Sequence, residues 1–372
     1  MQVVNVRWFN ATAWYGLFLS RLLREAGHEV RVLGLEGTES FAKAEEWGLE
    51  PAAFPLNTAN PLALAGLYSR LRRLVRDWRP HVVNCHRGES FAVWALVKQG
   101  NPPFGLVRTR GDQRPPKAGV ANAYIHARLA DAVIATSSGI AASMRDILHV
   151  PPDRLHTIYG GVDTARFYPA PEGREAMRAS LGVGPGQTAI GLVGRFDEVK
   201  GQRELIRSFA RLLEKTGGRD RFRLVLAGFA TSALGEDAIN GWIAEAGIRE
   251  QVILPGRCED VRGLMNALDL GVVASLGSET IARVALELMA CGVPLIGTRV
   301  GVMPDLLRDN ALVPPGDVAA MAALLERFAM AEDFGAALRL DQRERMKTLR
   351  DKDFLNQTLA AYEEAHQRAG GV

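Results

Sequence analysis

The sequence predicts two doubly wound α/β domains in tandem, on three observations. Short β-branched runs alternate with helical stretches. That alternation runs through twice. A segment rich in Pro, Gly and charge, residues 163–186, separates the two rounds and reads as a linker. The length of 372 residues exceeds what one core ordinarily serves. The 47% hydrophobic share suffices for two cores and excludes a disordered chain.

The first round opens with a β-rich run at residues 3–7. An amphipathic helix over 14–26 follows, with Leu19, Leu22 and Leu23 on its apolar face, and Gly27 ends it. A second strand at 30–33 completes a βαβ unit, which builds parallel sheet. Further strands are expected at 81–85, 105–108, 131–136 and 156–159. The second round begins with the apolar run 189–193. A loop at 196–201 leads into an amphipathic helix ending near Leu213. Strands follow at 222–227, 252–254, 271–274 and 294–297, with a helix over 281–290 stopped by Gly292. From Asp317 onward the pattern is mostly helical. A domain boundary is expected at 165/166. In such folds ligands sit beyond the carboxyl ends of the strands, and the cleft between two such domains is the default site.

Composition narrows the partners. The net charge is +3, unevenly spread: residues 1–165 carry +5 and the remainder −2. A mildly basic first half suggests an anionic partner there, and no nucleic acid is expected. Cys85, Cys258 and Cys291 lie too far apart for a disulfide framework or a metal knuckle. The chain shows neither a secretory signal nor a membrane-spanning run, so a cytoplasmic location is expected. Over residues 64–78, Leu64, Leu67, Tyr68, Leu71, Leu74, Val75 and Trp78 recur at helical spacing, with Arg72, Arg73, Arg76 and Arg79 on the other side. The stripe reads as core. The arginine face could meet an anionic membrane, which would place the protein peripherally on its inner face.

The first strand leads into Asn10-Ala-Thr-Ala-Trp-Tyr15-Gly16 rather than the glycine fingerprint GxGxxG, which argues against an NAD oxidoreductase. The informative groups lie in the second half. Gly194-Arg195-Phe-Asp-Glu-Val-Lys200-Gly201 directly follows a strand, so Arg195 and Lys200 sit at its carboxyl end, where two cations suit a diphosphate. A solvated basic loop is the alternative. Glu279 lies just before the predicted helix and Glu287 eight residues later, about 80° apart in projection, so the pair can address two parts of one elongated ligand. The backbone N–H groups of Thr280, Ile281 and Ala282 are expected at the helix start, where they can hold phosphate. Glu287, among Val284, Leu286 and Leu288, suits a ribose diol or, structurally, an Arg partner.

These segments, "IYGGVDTARFYP", "VGRFDEVKG" and Glu-x7-Glu within "SETIARVALELMACGVPLIGT", together with the Gly27-His28-Glu-Val30 junction, resemble the retaining GT-B glycosyltransferases of family GT4 over most of the chain. "VRTRGDQRPPK" and "SETIARVALE" further resemble the subgroup that builds lipopolysaccharide core and other cell-envelope glycans. The resemblance implies two Rossmann-like domains facing across a cleft. Residues 1–165 would bind a glycan or glycolipid acceptor, and residues 166–352 a nucleotide sugar. Residues 353–372 would form a helix crossing back to the first domain. It implies that Arg195 and Lys200 neutralise the donor diphosphate, Glu279 contacts the donor sugar, Glu287 holds the ribose, and Gly194 and the backbone at Arg257 line the nucleotide. Gly16 matches a glycine-rich turn approaching the diphosphate, although the family's two glycines are Tyr15-Gly16 here. The family's "EGFG" is Glu279-Thr-Ile-Ala282. Where many members have a His, this chain has Arg108-Thr-Arg110-Gly-Asp112, which makes Asp112 the candidate polar group at the sugar, with a turn residue as the alternative. His86, Arg87 and Arg110 are acceptor candidates. The implied reaction retains configuration and needs neither metal nor cofactor. The spacing Asp351-Lys-Asp353 imitates a metal motif but lies in the charged helical tail. The base stays open between uridine, adenosine and guanosine, with a UDP-sugar as first expectation. A catalytically idle GT-B module that binds nucleotide or glycan is the second reading.

Overall fold

The computed structural model describes residues 1–99 and 102–371. The chain divides into two units: residues 1–161 with the segment from Asp351 onward, and Val162–Arg350. The crossovers fall a few residues ahead of the expected positions at 165 and 352.

The first unit holds one parallel seven-stranded sheet: β1 (Gln2–Val4), β2 (Val32–Gly34), β3 (Ala52–Ala53), β4 (Val82–Cys85), β5 (Gly105–Arg110), β6 (Ala132–Ala135) and β7 (Leu155–Thr157), in the order β3-β2-β1-β4-β5-β6-β7. The order reverses between β1 and β4. Helix α1 (Ala11–Glu25) starts three residues earlier than its apolar pattern suggests. Asn10 sets the start: its side-chain oxygen accepts from the amides of Thr12 and Ala13 at 3.0 and 3.1 Å. Helix α2 (Pro61–Trp78) buries Leu67, Leu71 and Val75 and exposes Arg72, Arg73, Arg76 and Arg79. Its apolar stripe therefore belongs to the core. Helix α3 (Phe91–Lys98) follows β4.

The second unit holds a parallel six-stranded sheet: β8 (Thr188–Val193), β9 (Phe222–Ala227), β10 (Val252–Ile253), β11 (Leu270–Val273), β12 (Leu295–Thr298) and β13 (Leu312–Val313), ordered β10-β9-β8-β11-β12-β13. Its reversal lies between β8 and β11. Helices α4 (Gln202–Thr216) and α5 (Arg283–Ala290) follow those two strands. The segment 163–186 is not simply a linker. A short helix at Arg174–Ser180 docks on this unit, because Arg174 and Arg178 both pair with Asp269, at 2.5 and 2.9 Å. Buried Arg178 also donates to the Ala267 carbonyl.

The tail is helical, ending in α6 (Asp351–Arg368), which belongs to the first unit. Phe354 packs edge-on against Tyr15, with ring centroids 4.7 Å apart. The Tyr362 hydroxyl accepts from the amides of Gln2 and Asn84, at 3.0 and 2.7 Å, under β1 and β4. Asp351 and Asp353 lie in the first turn of this helix.

Candidate functional site

In the second unit the site is built on the carboxyl ends of β8, β9, β10 and β11. Beyond β8, Asp197 caps a 3-10 turn at Glu198–Lys200 and accepts from Arg195 at 2.8 Å. Partial burial pushes the Asp197 carboxyl up, but the bonds from Arg195 and the Val199 amide outweigh it and hold the group below its ordinary value. Lys200 reaches Glu279 Oε1 at 2.5 Å, and the same oxygen accepts from the Ser275 hydroxyl at 2.6 Å. The loops after β8 and β11 touch directly. The Leu276 amide donates to the Val199 carbonyl at 2.7 Å. Gly201, with φ 71, passes so close to Ala274 that a Cβ would stand 2.0 Å from its carbonyl oxygen. The Lys200–Glu279 pair thus marks the point where the strand order reverses, the position at which such sheets bind ligands.

Next to it, a cavity of about 740 Å3 runs along the carboxyl edge of β8, β9 and β10. Gly194, Arg195, Phe229, Arg257, Glu259 and Arg166 line it. The Arg257 guanidinium lies 5.4 Å from the Phe229 ring centroid. The structure therefore brings Gly194, Arg195 and Arg257 around one cavity and Lys200 onto Glu279. Glu287 is buried in α5 and paired with Arg283 at 3.2 Å, so the Arg partner is present. Burial pushes its carboxyl up, opposed by Arg283 and Arg166. Arg166 thus links the cavity wall to Glu287 electrostatically. Sequence reasoning passed over both arginines. Arg283 was findable from its i,i+4 spacing to Glu287, whereas Arg166 lay hidden in the presumed linker.

One expectation here is corrected. The helix begins at Arg283, not Ile281, and Ala282 is its N-cap in left-handed geometry, φ 50 and ψ 51. Thr280 and Ile281 precede the helix, and the first-turn amides belong to residues 283–285.

The candidates of the first unit fare differently. Gly16 is not in a turn; it lies inside α1 and is buried. A Cβ there would meet Val4 Cγ2 at 2.9 Å and the His86 ring at 3.0 Å, so its missing side chain makes room for His86. His86 itself is 1% exposed and hydrogen-bonded to Gln2 Oε1 at 2.9 Å. Burial, with the nearby Arg108 charge, pushes it down to about 3, so it is a neutral packing residue. Arg87 pairs with Glu89. Arg110 ends β5 and donates to the Arg114 carbonyl. Asp112 accepts from the Arg114 amide at 3.0 Å and from its guanidinium at 2.7 Å, which is the geometry of a turn residue.

Among the described residues, no group of three or more His, Cys, Asp or Glu could hold a metal ion. No helix among them is long and apolar enough to cross a membrane.

Comparison with known proteins agrees with this architecture. Residues 14–166 match the family "Glycosyltransferase Family 4" and residues 187–330 match "Glycosyl transferases group 1". A curated relative, D-inositol 3-phosphate glycosyltransferase of Nocardia farcinica, is 31% identical over 64% of this chain and 51% of its own length. The chain spans about half the length of the curated relatives it matches. Among solved structures, a glycosyltransferase from Rickettsia africae superposes with a TM-score of 0.85 at 16% identity, covering 98% of this chain and 97% of that one. Alr3699/HepE from Anabaena, in complex with UDP, gives 0.82 at 19% identity, covering 98% and 100%. With both halves matched and both sheets in place, the chain belongs to the family 4/group 1 glycosyltransferases of the GT-B fold.

Proposed function

We propose that the protein transfers a sugar, with retention of configuration and without a metal, from a nucleotide-diphosphate sugar to a hydroxyl acceptor. The observation that carries this reading is the pairing of Lys200 with Glu279 at the strand reversal of the second unit, beside the cavity lined by Gly194, Arg195 and Arg257. As the sugar–phosphate bond breaks, positive charge develops on the sugar carbon and negative charge on the departing diphosphate. Cations fixed in advance facing that charge are the largest lever available to the protein. Arg195 and Lys200 are held by Asp197 and Glu279, which limits the reorganisation needed when phosphate oxygens arrive. The acceptor oxygen bonds to the same face of the sugar carbon, and its proton passes to a leaving phosphate oxygen. Glu287 would hold the ribose, and Arg257 with Phe229 would flank the base.

The donor is proposed as a UDP-sugar, a choice supported by the UDP bound to the Anabaena neighbour. The acceptor reading favoured by the relatives' name is a cyclitol phosphate. An envelope-glycan acceptor rests on the two short motifs, with weak further support from the fold's likeness to the lipopolysaccharide glycosyltransferases WaaB and WaaG. The exposed Arg72, Arg73, Arg76 and Arg79 support an anionic membrane as a peripheral partner. Co-sedimentation with anionic vesicles should then fall as salt rises, and the absence of salt-sensitive binding removes that partner.

Thermal-shift measurements with UDP, ADP, GDP and NAD test the donor site. A ligand at a hundred times its dissociation constant stabilises by about 2.7 kcal/mol. We expect one nucleoside diphosphate to shift the wild type, and both Arg195→Ala and Glu287→Ala to lose the shift. A shift by NAD alone, or by nothing, rejects the transferase reading. Binding without any turnover of the nucleotide sugar would favour the idle module.

A further inference from the structure

Glu279 has two carboxylate oxygens, and its neighbours engage only one. Oε1 accepts from Lys200 Nζ at 2.5 Å and from the Ser275 hydroxyl at 2.6 Å. Among the described residues, no donor reaches Oε2. Glu279 is 6% exposed, so water has little access to the bare oxygen. A carboxylate oxygen in that position is costly until a donor arrives. Lys200, by contrast, spends one of its three N–H groups on Glu279 and keeps the others for phosphate oxygens.

The two donors on Oε1 differ in how firmly they are held. Lys200 is a point charge on a flexible stem and can follow the carboxylate as it turns. Ser275 cannot. It lies two residues beyond β11 and is 1% exposed. Its carbonyl accepts from the Thr298 hydroxyl at 2.5 Å, at the end of the neighbouring β12. The Ser275 hydroxyl is therefore anchored on two adjacent strands of the sheet. Glu279 itself rides on a loop, between left-handed Ser278 and Ala282. Of the two donors, only Ser275 fixes which carboxylate oxygen turns inward and which is presented.

We infer that Ser275 is a positioning residue for the donor sugar. It locks Glu279 Oε1 inward against Lys200, so that Oε2 is presented as the acceptor for a sugar hydroxyl. A hydrogen bond to an ionised oxygen is short and directional, and its worth depends on the carboxyl plane being held in advance. This rests on the transferase reading in one respect, that the ligand beside Glu279 is the sugar of a nucleotide sugar.

Calorimetric titration of the full chain with UDP and with UDP-glucose, as separate probes, tests it. Wild type should bind both. Ser275→Ala leaves the loop backbone and the Lys200 charge in place, so UDP should bind as before. UDP-glucose should weaken by about tenfold, since the hydrogen bond to a charged group is no longer held ready. Ser275→Thr returns a hydroxyl and should restore UDP-glucose binding. In a Glu279→Ala background, Ser275→Ala should cost UDP-glucose nothing further, because the serine acts through the carboxylate. That cycle decides the matter even if the buried site rejects threonine. Unchanged UDP-glucose affinity in Ser275→Ala overturns the inference while leaving the transferase reading intact. So does an equal loss of UDP and UDP-glucose, which would mark a general loosening, and so does a full second loss in the Glu279→Ala background. A wild type that binds neither probe rejects the transferase reading itself, and the sugar-positioning role falls with it.

Discussion

The two units share one topology and furnish it in opposite ways. Each sheet reverses its strand order after its first strand, between β1 and β4 in one and between β8 and β11 in the other. In the second unit the reversal carries a cation–carboxylate pair, Lys200 with Glu279, and opens onto a cavity lined by Gly194 and Arg195. In the first it is filled with packed polar groups. His86 bonds to Gln2, and Gln2 and Asn84 bond to Tyr362 of α6. Arg108 and Arg110 stand one strand further out, on β5, with Glu89 and Asp112 as the nearby carboxylates. Strand order therefore sets where a site can form, while the residues just beyond the strands decide whether it is filled or opens onto a cavity.

The largest effect expected from this contrast is an acid sensitivity built into the first unit. An unfolded His takes up its proton near pH 6.5, whereas buried His86 does so only near 3. Between those values the unfolded state binds one more proton, so stability is full above pH 6.5 and falls as pH drops. The loss is about 1.4 kcal/mol per pH unit and reaches about 5 kcal/mol by pH 3. Urea denaturation at pH 7 and 4.5 should show wild type losing about 3 kcal/mol more than His86→Asn. Equal losses in the two proteins would mean that His86 is not the buried neutral group described above.

Much of this contrast was legible in the sequence. The apolar runs placed the longer strands, and the Lys200, Glu279 and Glu287 spacing picked out the charged residues of the second unit. What escaped has physical reasons. β3 and β13 hold two residues each, too short for any period to show. Gly16 read as a turn because the family resemblance places a glycine-rich turn there, yet its cause is a ring from β4's end, 70 residues away in the chain. Arg166 sat in a stretch whose Pro and Gly content resembles a linker, and only Asp269 reveals that the stretch is docked.

The smallest expected effect concerns strain. Five described non-glycine residues have left-handed backbones, and two of them, Ser278 and Ala282, flank Glu279. That geometry costs an L-residue about 1–2 kcal/mol, and strain of this kind persists where the surroundings fix it. Glycine at 282 removes the steric cost but adds about 0.4–1 kcal/mol of unfolded-chain entropy. Ala282→Gly should therefore raise stability by about 0.5–1 kcal/mol, measured by urea denaturation. The comparison sharpens if Arg79→Gly is made alongside it. Arg79 is also left-handed, φ 48, but it ends α2 in the first unit, apart from the donor-site candidates of the second. Both substitutions relieve backbone strain, so both should stabilise. Only Ala282→Gly should also weaken UDP binding, because the strained turn holds Glu279 against Lys200. If UDP affinity is untouched, the left-handed residues beside Glu279 are a cost of the loop's path and do not position its carboxylate.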